Sequence, residues 1–306
     1  MQKRLCRGTG RLLAVNTRWT GIVLDPQRRM RGTALANCGG VATRIARAVR
    51  TAFDMPQRDP VAGAHRARAR HVHLLTSALL LATGVATAML TGCAAWRIGE
   101  SIDLARRSEP FQQHPDEPAR RLLVVGDSTA VGTGASSGSN SLVGLVAGRH
   151  PDWYIENRAR DGARFSDVVD QLERGGSFDM VLIQAGGNDV IRAGDLDALN
   201  RTIDRVTSAA LKRAPAVILM PAGNVGNAPF FFPPISWWMT QRSRHMHRFV
   251  SHAAKRHGAL YVTLFHERAD DPFVQKPELN ARDGLHPSDA GYAVWFEELS
   301  RQTKLF

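Results

Sequence analysis

LLVVGDSTA occupies residues 122–130. Four branched apolar residues in a row fit a strand buried on both faces, as in the middle of a parallel sheet. Gly126, Asp127 and Ser128 then end that strand in immediate succession. By itself Gly-Asp-Ser is ordinary turn chemistry. It also sets a serine at the carboxyl end of a strand, where open α/β sheets place their sites. The rest of the chain has to decide between the two.

Downstream, short apolar runs alternate with helical spacings. Strands are expected at 122–125, 153–157, 180–183, 216–220 and 260–264. Helices are expected at 141–149, 165–174, 196–213, 241–257 and from about 289 to 305. The helix at 196–213 carries Leu196, Leu199, Ile203, Val206 and Ala210 on one face, a period near 3.6. Strands alternating with helices predict a mainly parallel five-stranded sheet in a three-layer α/β/α sandwich.

Several nucleotide and hydrolase signatures are absent. Ala130 breaks the Gly-x-Ser-x-Gly elbow of the α/β-hydrolases. Ser137 stands where a dinucleotide loop opening at Gly132 needs its third glycine, and no Gly-Lys-Ser/Thr tripeptide exists for a phosphate loop.

Three further stretches fall at strand ends or in loops that reach the same edge. Asn157–Gly162 (NRARDG) follows the second strand, GGND at 186–189 follows the third, and DGLHP at 283–287 precedes the last helix. With GDS, these four blocks resemble, in order, those of the SGNH (GDSL-like) hydrolase family, across about residues 121–306. The resemblance implies a flavodoxin-like SGNH fold and a serine esterase working through an acyl-enzyme, with no cofactor and no metal. It assigns Ser128 as nucleophile, His286 as the base that takes its proton, and Asp283 as the carboxylate that orients the imidazole. Such an assignment meets a chemical need, because a free hydroxyl is a weak nucleophile without a base. It assigns the oxyanion hole to the backbone N–H groups of Ser128 and Gly162 and to the side-chain amide of Asn188. Pro287 disfavours helix at His286, and Ser288 can cap the final helix.

Taken singly, each residue also has a bland reading. Asn188 can cap a turn, Gly162 can end a strand, and Asp283 with His286 can be a surface pair. Their joint occurrence is what the bland readings explain poorly. Asp127 and Asp189 read as loop-holding residues. His245, His247, His252 and His257 lack carboxylates at ligand spacing and read as one solvated helix face rather than a metal site.

Residues 228–239 (APFFFPPISWWM) place five aromatics within ten residues. Either Phe231, Trp237 and Trp238 form an apolar wall over a substrate acyl group, or the segment packs the core or touches a membrane.

The 306 residues carry a net charge of +12, all of it in the leader: residues 1–92 hold 15 Lys/Arg against 3 Asp/Glu, and residues 93–306 hold 25 of each. The domain that would have to present a basic face to nucleic acid is neutral overall, so no nucleic-acid partner is expected. Residues 1–54 read as a basic extension, disordered or preceding the true start. Residues 55–96 read as a signal peptide or membrane anchor, because Arg66, Arg68 and Arg70 precede a run, 71–96, with no Asp, Glu, Lys or Arg. Leu90-Thr91-Gly92-Cys93 within it resembles the bacterial lipobox, which would make Cys93 a lipidated N-terminus. Residues 97–120 read as a helical start followed by a linker, and residues 121–306 as the catalytic domain. The basic flank biases the domain to the outer, periplasmic side of a bacterial membrane. The expected substrate is a lipid, short acyl or glycan ester. The alternative is a catalytically silent, membrane-tethered module on the same fold that binds carbohydrate or acyl groups.

Overall fold

The computed structural model describes residues 64–306. The expectations for residues 1–54, and for the first part of 55–96, lie outside the described residues. Two compact units divide the chain between Gly84 and Val85. Of the first, the described residues form the beginning of helix α1 (Ala64–Arg107). Its portion from Leu74 onward is long and apolar enough to cross a membrane. The second unit, Val85–Phe306, holds the end of α1 and the α/β domain.

That domain is built on five parallel strands: β1 (Arg120–Gly126), β2 (Trp153–Asn157), β3 (Met180–Gln184), β4 (Ala216–Leu219) and β5 (Leu260–Tyr261). They lie in the order β2-β1-β3-β4-β5, with Leu122 beside Ile155 on one side and Met180 on the other. Side chains alternate between faces along each strand, so the apolar runs feed two cores. Leu123, Val125, Val181, Ile183, Val217 and Leu219 point to one face. There α4 (Phe165–Glu173), α6 (Leu196–Leu211) and α7 (Ile235–His257) bury Phe165, Leu172, Ile203, Val206, Met246 and Val250 against them. Leu122, Val124, Leu182 and Ile218 point to the other face. There α3 (Leu142–Arg149) and α9 (Asp289–Thr303) bury Leu142, Val146, Tyr292, Trp295 and Leu299. The result is the expected three-layer α/β/α sandwich. Short helices α2 (Ser128–Val131), α5 (Gly187–Ile191) and α8 (Pro272–Gln275) complete the order.

Three elements differ from the sequence expectation. Helix α7 begins at Ile235, six residues before the expected Gln241, because Pro233 and Pro234 sit just ahead of its first turn, where a missing N–H costs nothing. Its two tryptophans are therefore helical. Strand β5 is two residues long rather than five. Beyond it Val262 still donates to Leu219 O at 2.9 Å, but Thr263 bonds both its N–H and its C=O to the Gln302 side chain, each at 2.9 Å. A side-chain amide replaces a neighbouring strand there and ends the ladder. Finally, residues 97–120 begin as the expected helix, but the stretch after it is held on the sheet rather than free. Helix α1 continues to Arg107, and Gln113 forms an antiparallel bridge with Ile155 on the open edge of β2.

Candidate active site

The site starts from the glycine that ends β1. Gly126 has φ +149°, and a Cβ there would lie 1.8 Å from Gln184 O. Only glycine lets β1 and β3 run this close at the bend. The Gln171 amide clamps Gly126 on both sides, accepting from its N–H at 2.7 Å and donating to its C=O at 2.9 Å. Asp127 then caps α2, accepting from the N–H and hydroxyl of Thr129 at 2.9 and 2.7 Å. Ser128 thus becomes the first residue of a helix, where a backbone N–H has no intrahelical acceptor. Burial pushes the Asp127 carboxyl above its usual range, against the hydrogen bonds from Thr129.

Asp283 and His286 come from the loop before α9. Asp283 Oδ1 accepts from the N–H groups of Leu285 and His286 at 2.9 and 3.1 Å. Its Oδ2 lies 2.6 Å from His286 Nδ1. His286 Nε2 lies 2.9 Å from Ser128 Oγ, across 158 residues of sequence. A carboxylate only accepts, so Nδ1 carries the proton and Nε2 presents its lone pair to the serine hydroxyl. Burial raises the Asp283 pKa, but the hydrogen bond and charge of His286, with the two N–H groups, outweigh it, and the carboxyl stays below its ordinary value. Two locks fix the loop: Ala281 donates to His286 O at 2.8 Å, and Ser288 caps α9 through Gly291 N–H while donating to Glu278 O at 2.6 Å. All three side chains are buried, Ser128 at 9% exposure, His286 at 7% and Asp283 at 1%.

Gly162 and Asn188 reach the same cleft by separate routes. Asn157 pins the NRARDG stretch to α2, donating to Ala130 O at 2.8 Å and accepting from Ala159 N–H at 3.0 Å. Gly162 follows in the left-handed region, φ +73°. Asn188 lies in the first turn of α5 and donates to Ala163 O at 3.1 Å, which leaves its second amide hydrogen for another acceptor. Ser128, Gly162, Asn188 and His286 all line one cleft of about 390 Å³.

The other expectations fare unevenly. Phe231, Trp237 and Trp238 do not line that cleft. Phe231 and Trp237 line a separate depression with Phe232 and Pro233, and Trp238 lies against the Arg242 guanidinium, 5.3 Å from its ring. Phe231 alone of the three packs on the core. The acyl-wall reading of these residues is corrected accordingly: the early start of α7 carries both tryptophans onto a helix surface away from Ser128. Nor does His247 face solvent. It is buried, bonded to Tyr261 Oη at 2.7 Å and Ala222 O at 2.8 Å, and burial pulls its pKa down to about 4. Among the described residues no cluster of three His, Cys, Asp or Glu could hold a metal ion. Cys93 lies half-buried on α1.

The walls the sequence reading missed are Phe273, Leu285 and Trp295 and, from α1, Ser101, Ile102 and Ala105. Trp295 falls on the apolar stripe of α9 and so carried a signal. The α1 residues carried none, since only a long-range fold-back brings them to the cleft. Arg282, the residue before Asp283, holds α1 there by ion pairs to Glu100 (2.5 Å) and Asp103.

A sequence model described as the GDSL-like Lipase/Acylhydrolase family matches residues 124–294. The chain belongs to that family. It is accordingly an ester hydrolase by class. Among solved structures, a lipolytic protein of the G-D-S-L family from Veillonella parvula is similar at 15% identity, with a TM-score of 0.50 over 61% of this chain and 100% of that one. An extracellular lipase from Streptomyces rimosus is similar at 21% identity, TM-score 0.48, over 60% and 100% of the two chains. An acetylxylan esterase from Geobacillus stearothermophilus is similar at 24% identity, TM-score 0.46, over 60% and 94%. The first of these supports the fold. No curated protein matches the chain.

Proposed function

We propose that this GDSL-family hydrolase cleaves a carboxylic ester through an acyl-enzyme on Ser128. The observation that carries the reading is the unbroken hydrogen-bond chain Asp283–His286–Ser128 inside an apolar cleft. Ser128 Oγ attacks the ester carbonyl as His286 Nε2 takes its proton. The carbonyl oxygen becomes an oxyanion, met by the N–H groups of Ser128 and Gly162 and the spare amide hydrogen of Asn188. Asp283, kept ionised, stabilises the imidazolium. His286 returns the proton to the departing alkoxide, and the acyl group stays on Ser128. Water then enters, His286 takes its proton, and the acid leaves with the serine restored.

The cleft lining of Ile102, Ala105, Phe273, Leu285 and Trp295 favours an acyl or amphiphilic ester over a sugar alone. Helix α1, or a lipid on Cys93, would tether the domain at the outer face of a bacterial membrane.

A fluorophosphonate probe tests the chemistry. It labels the wild-type chain and not Ser128→Ala, and an ester panel from acetyl to long acyl shows kcat falling about 10⁴-fold or more in the variant. A wild type that takes no label and turns over no ester would support the silent binding module instead.

A further inference from the structure

Four large apolar side chains stand in solvent around the entry to α7: Phe232, Ile235, Trp237 and Trp238, each 48–66% exposed. Single exposed apolar residues are ordinary, but two tryptophans with a phenylalanine and an isoleucine within seven residues form a patch. The catalytic cleft does not use them.

The occupant is indicated by α1. The Arg97 guanidinium lies over the Phe232 ring, 4.8 Å from its centroid, and donates to Pro229 O. Arg97 is also the first charged residue after the run 71–96. The point where α1 ceases to be apolar therefore rests on the aromatic patch. Trp96 and Ile98, on either side of Arg97, are themselves about half exposed.

We propose that Phe232, Ile235, Trp237 and Trp238 seat the domain on the bilayer surface where α1 meets it. The proposal rests on α1 or Cys93 as the membrane attachment, and both routes fix the same level. An uncleaved helix leaves the hydrocarbon at Trp96. A lipid on Cys93 enters it four residues before Arg97, about 6 Å of helix. Tryptophan rings favour the headgroup level, and Arg97 can lay its stem on Phe232 while its charge meets lipid phosphate. Ile102 and Ala105, at the mouth of the catalytic cleft, lie about 8–12 Å further along α1. An ester presented by an amphiphile at the surface is thus within reach of Ser128.

The test uses the full chain in vesicles of phosphatidylcholine and phosphatidylglycerol whose acyl chains are brominated near the headgroup. Trp96→Phe removes the one tryptophan on the apolar helix, so remaining quenching reports other positions. The expected result is strong quenching that is mostly lost when Trp237→Phe and Trp238→Phe are added, with hydrolysis of a water-soluble acetyl ester unchanged. A chain that floats with the vesicles but shows the same quenching with and without these tryptophans overturns the seating and leaves the attachment intact. A chain that does not float overturns both. Concentration-dependent crosslinking through the patch, without quenching, would assign it to a second copy and overturn the proposal.

Discussion

Asp189 follows Asn188, the residue proposed to help hold the oxyanion, and caps α4, accepting from Phe165 N–H at 3.1 Å. Burial raises its pKa from 3.8 to about 6, with the neighbouring Asp127 charge pushing the same way. An acid whose folded pKa exceeds its unfolded one binds more protons folded than unfolded between the two values. Stability therefore falls as pH rises through that window. The shift corresponds to about 3 kcal/mol lost between roughly pH 4 and pH 6. Asp283 works in the opposite sense, since its lowered pKa gives stability that is lost only as pH falls below its ordinary range. The two windows do not coincide, so they separate in one experiment. Asp189→Asn keeps an oxygen for Phe165 N–H and removes the charge. Urea unfolding across the window should show the wild type weakening with rising pH and the variant weakening less steeply, the remaining slope coming from the buried Asp127 carboxyl, which is also raised. An equal slope in both would place the pH dependence elsewhere. The residue itself was legible as a loop holder; its titration was not, because burial is a property of the packed α4–α5 junction.

Among elements, the C-terminal end of α1 has the clearest functional weight. Glu100 and Asp103 grip Arg282, and the adjoining turn presents Ile102 and Ala105 to the cleft. Ile102 is 48% exposed, so about half of its side chain can cover a substrate. Removing that cover is worth about 1 kcal/mol, close to fivefold in rate. Ile102→Ala should lower kcat/KM about fivefold for esters with longer acyl chains, leaving acetyl esters nearly unchanged. Arg282→Gln, which frees the helix, should act in the same direction. Equal losses for acetyl and long-chain esters would assign α1 to stability rather than selectivity. Legibility divides along similar lines. Ser128, Gly162, Asn188, Asp283 and His286 could be read because each stands in a short motif, the first three following strands that end on one edge of a parallel sheet and the last two in the loop before α9 that reaches the same edge. The five strands and the two apolar cores they feed follow from the same apolar runs, whereas their order across the sheet comes from the structure alone. Ile102 and Ala105 could not be read, because their neighbours Glu100, Asp103, Arg106 and Arg107 give the segment the composition of a solvated helix. The start of α7 was hidden by Pro233 and Pro234, which resemble a loop yet suit a first turn. The helical placement of Trp237 and Trp238, which takes them out of the cleft wall, was thereby hidden and left the readings of that segment open.

At the scale of the whole molecule, the neutral domain begins earlier than its first strand. Edge strand β2 would present unpaired N–H and C=O groups, a template for pairing with another chain. Residues 111–119 cover it. Gln113 exchanges backbone bonds with Ile155 at 3.0 and 2.8 Å, the Gln112 amide brackets Asn157 at 3.0 and 2.7 Å, and Ala119 donates to Asp152 O at 2.9 Å. His114 stacks on Tyr154 with ring centroids 4.8 Å apart, and Phe111 packs on the second core. Net hydrogen bonds of this kind are each worth about 1 kcal/mol, and ordering the strap offsets part of the sum, leaving roughly 2–4 kcal/mol. Chains beginning at residues 97, 108 and 121 therefore separate two jobs that composition alone assigns to a linker. The chain from 108 should unfold nearly as the chain from 97 does and hydrolyse acetyl esters equally well, but lose its preference among longer acyl chains, because the cleft wall is gone. The chain from 121 should lose the further 2–4 kcal/mol in urea unfolding and elute partly as oligomers through its bare β2 edge. Equal stability and a monomeric elution for the chain from 121 would return residues 108–120 to the status of a tether. That result would also leave Asn157, and with it the approach of Gly162 to Ser128, independent of the strap.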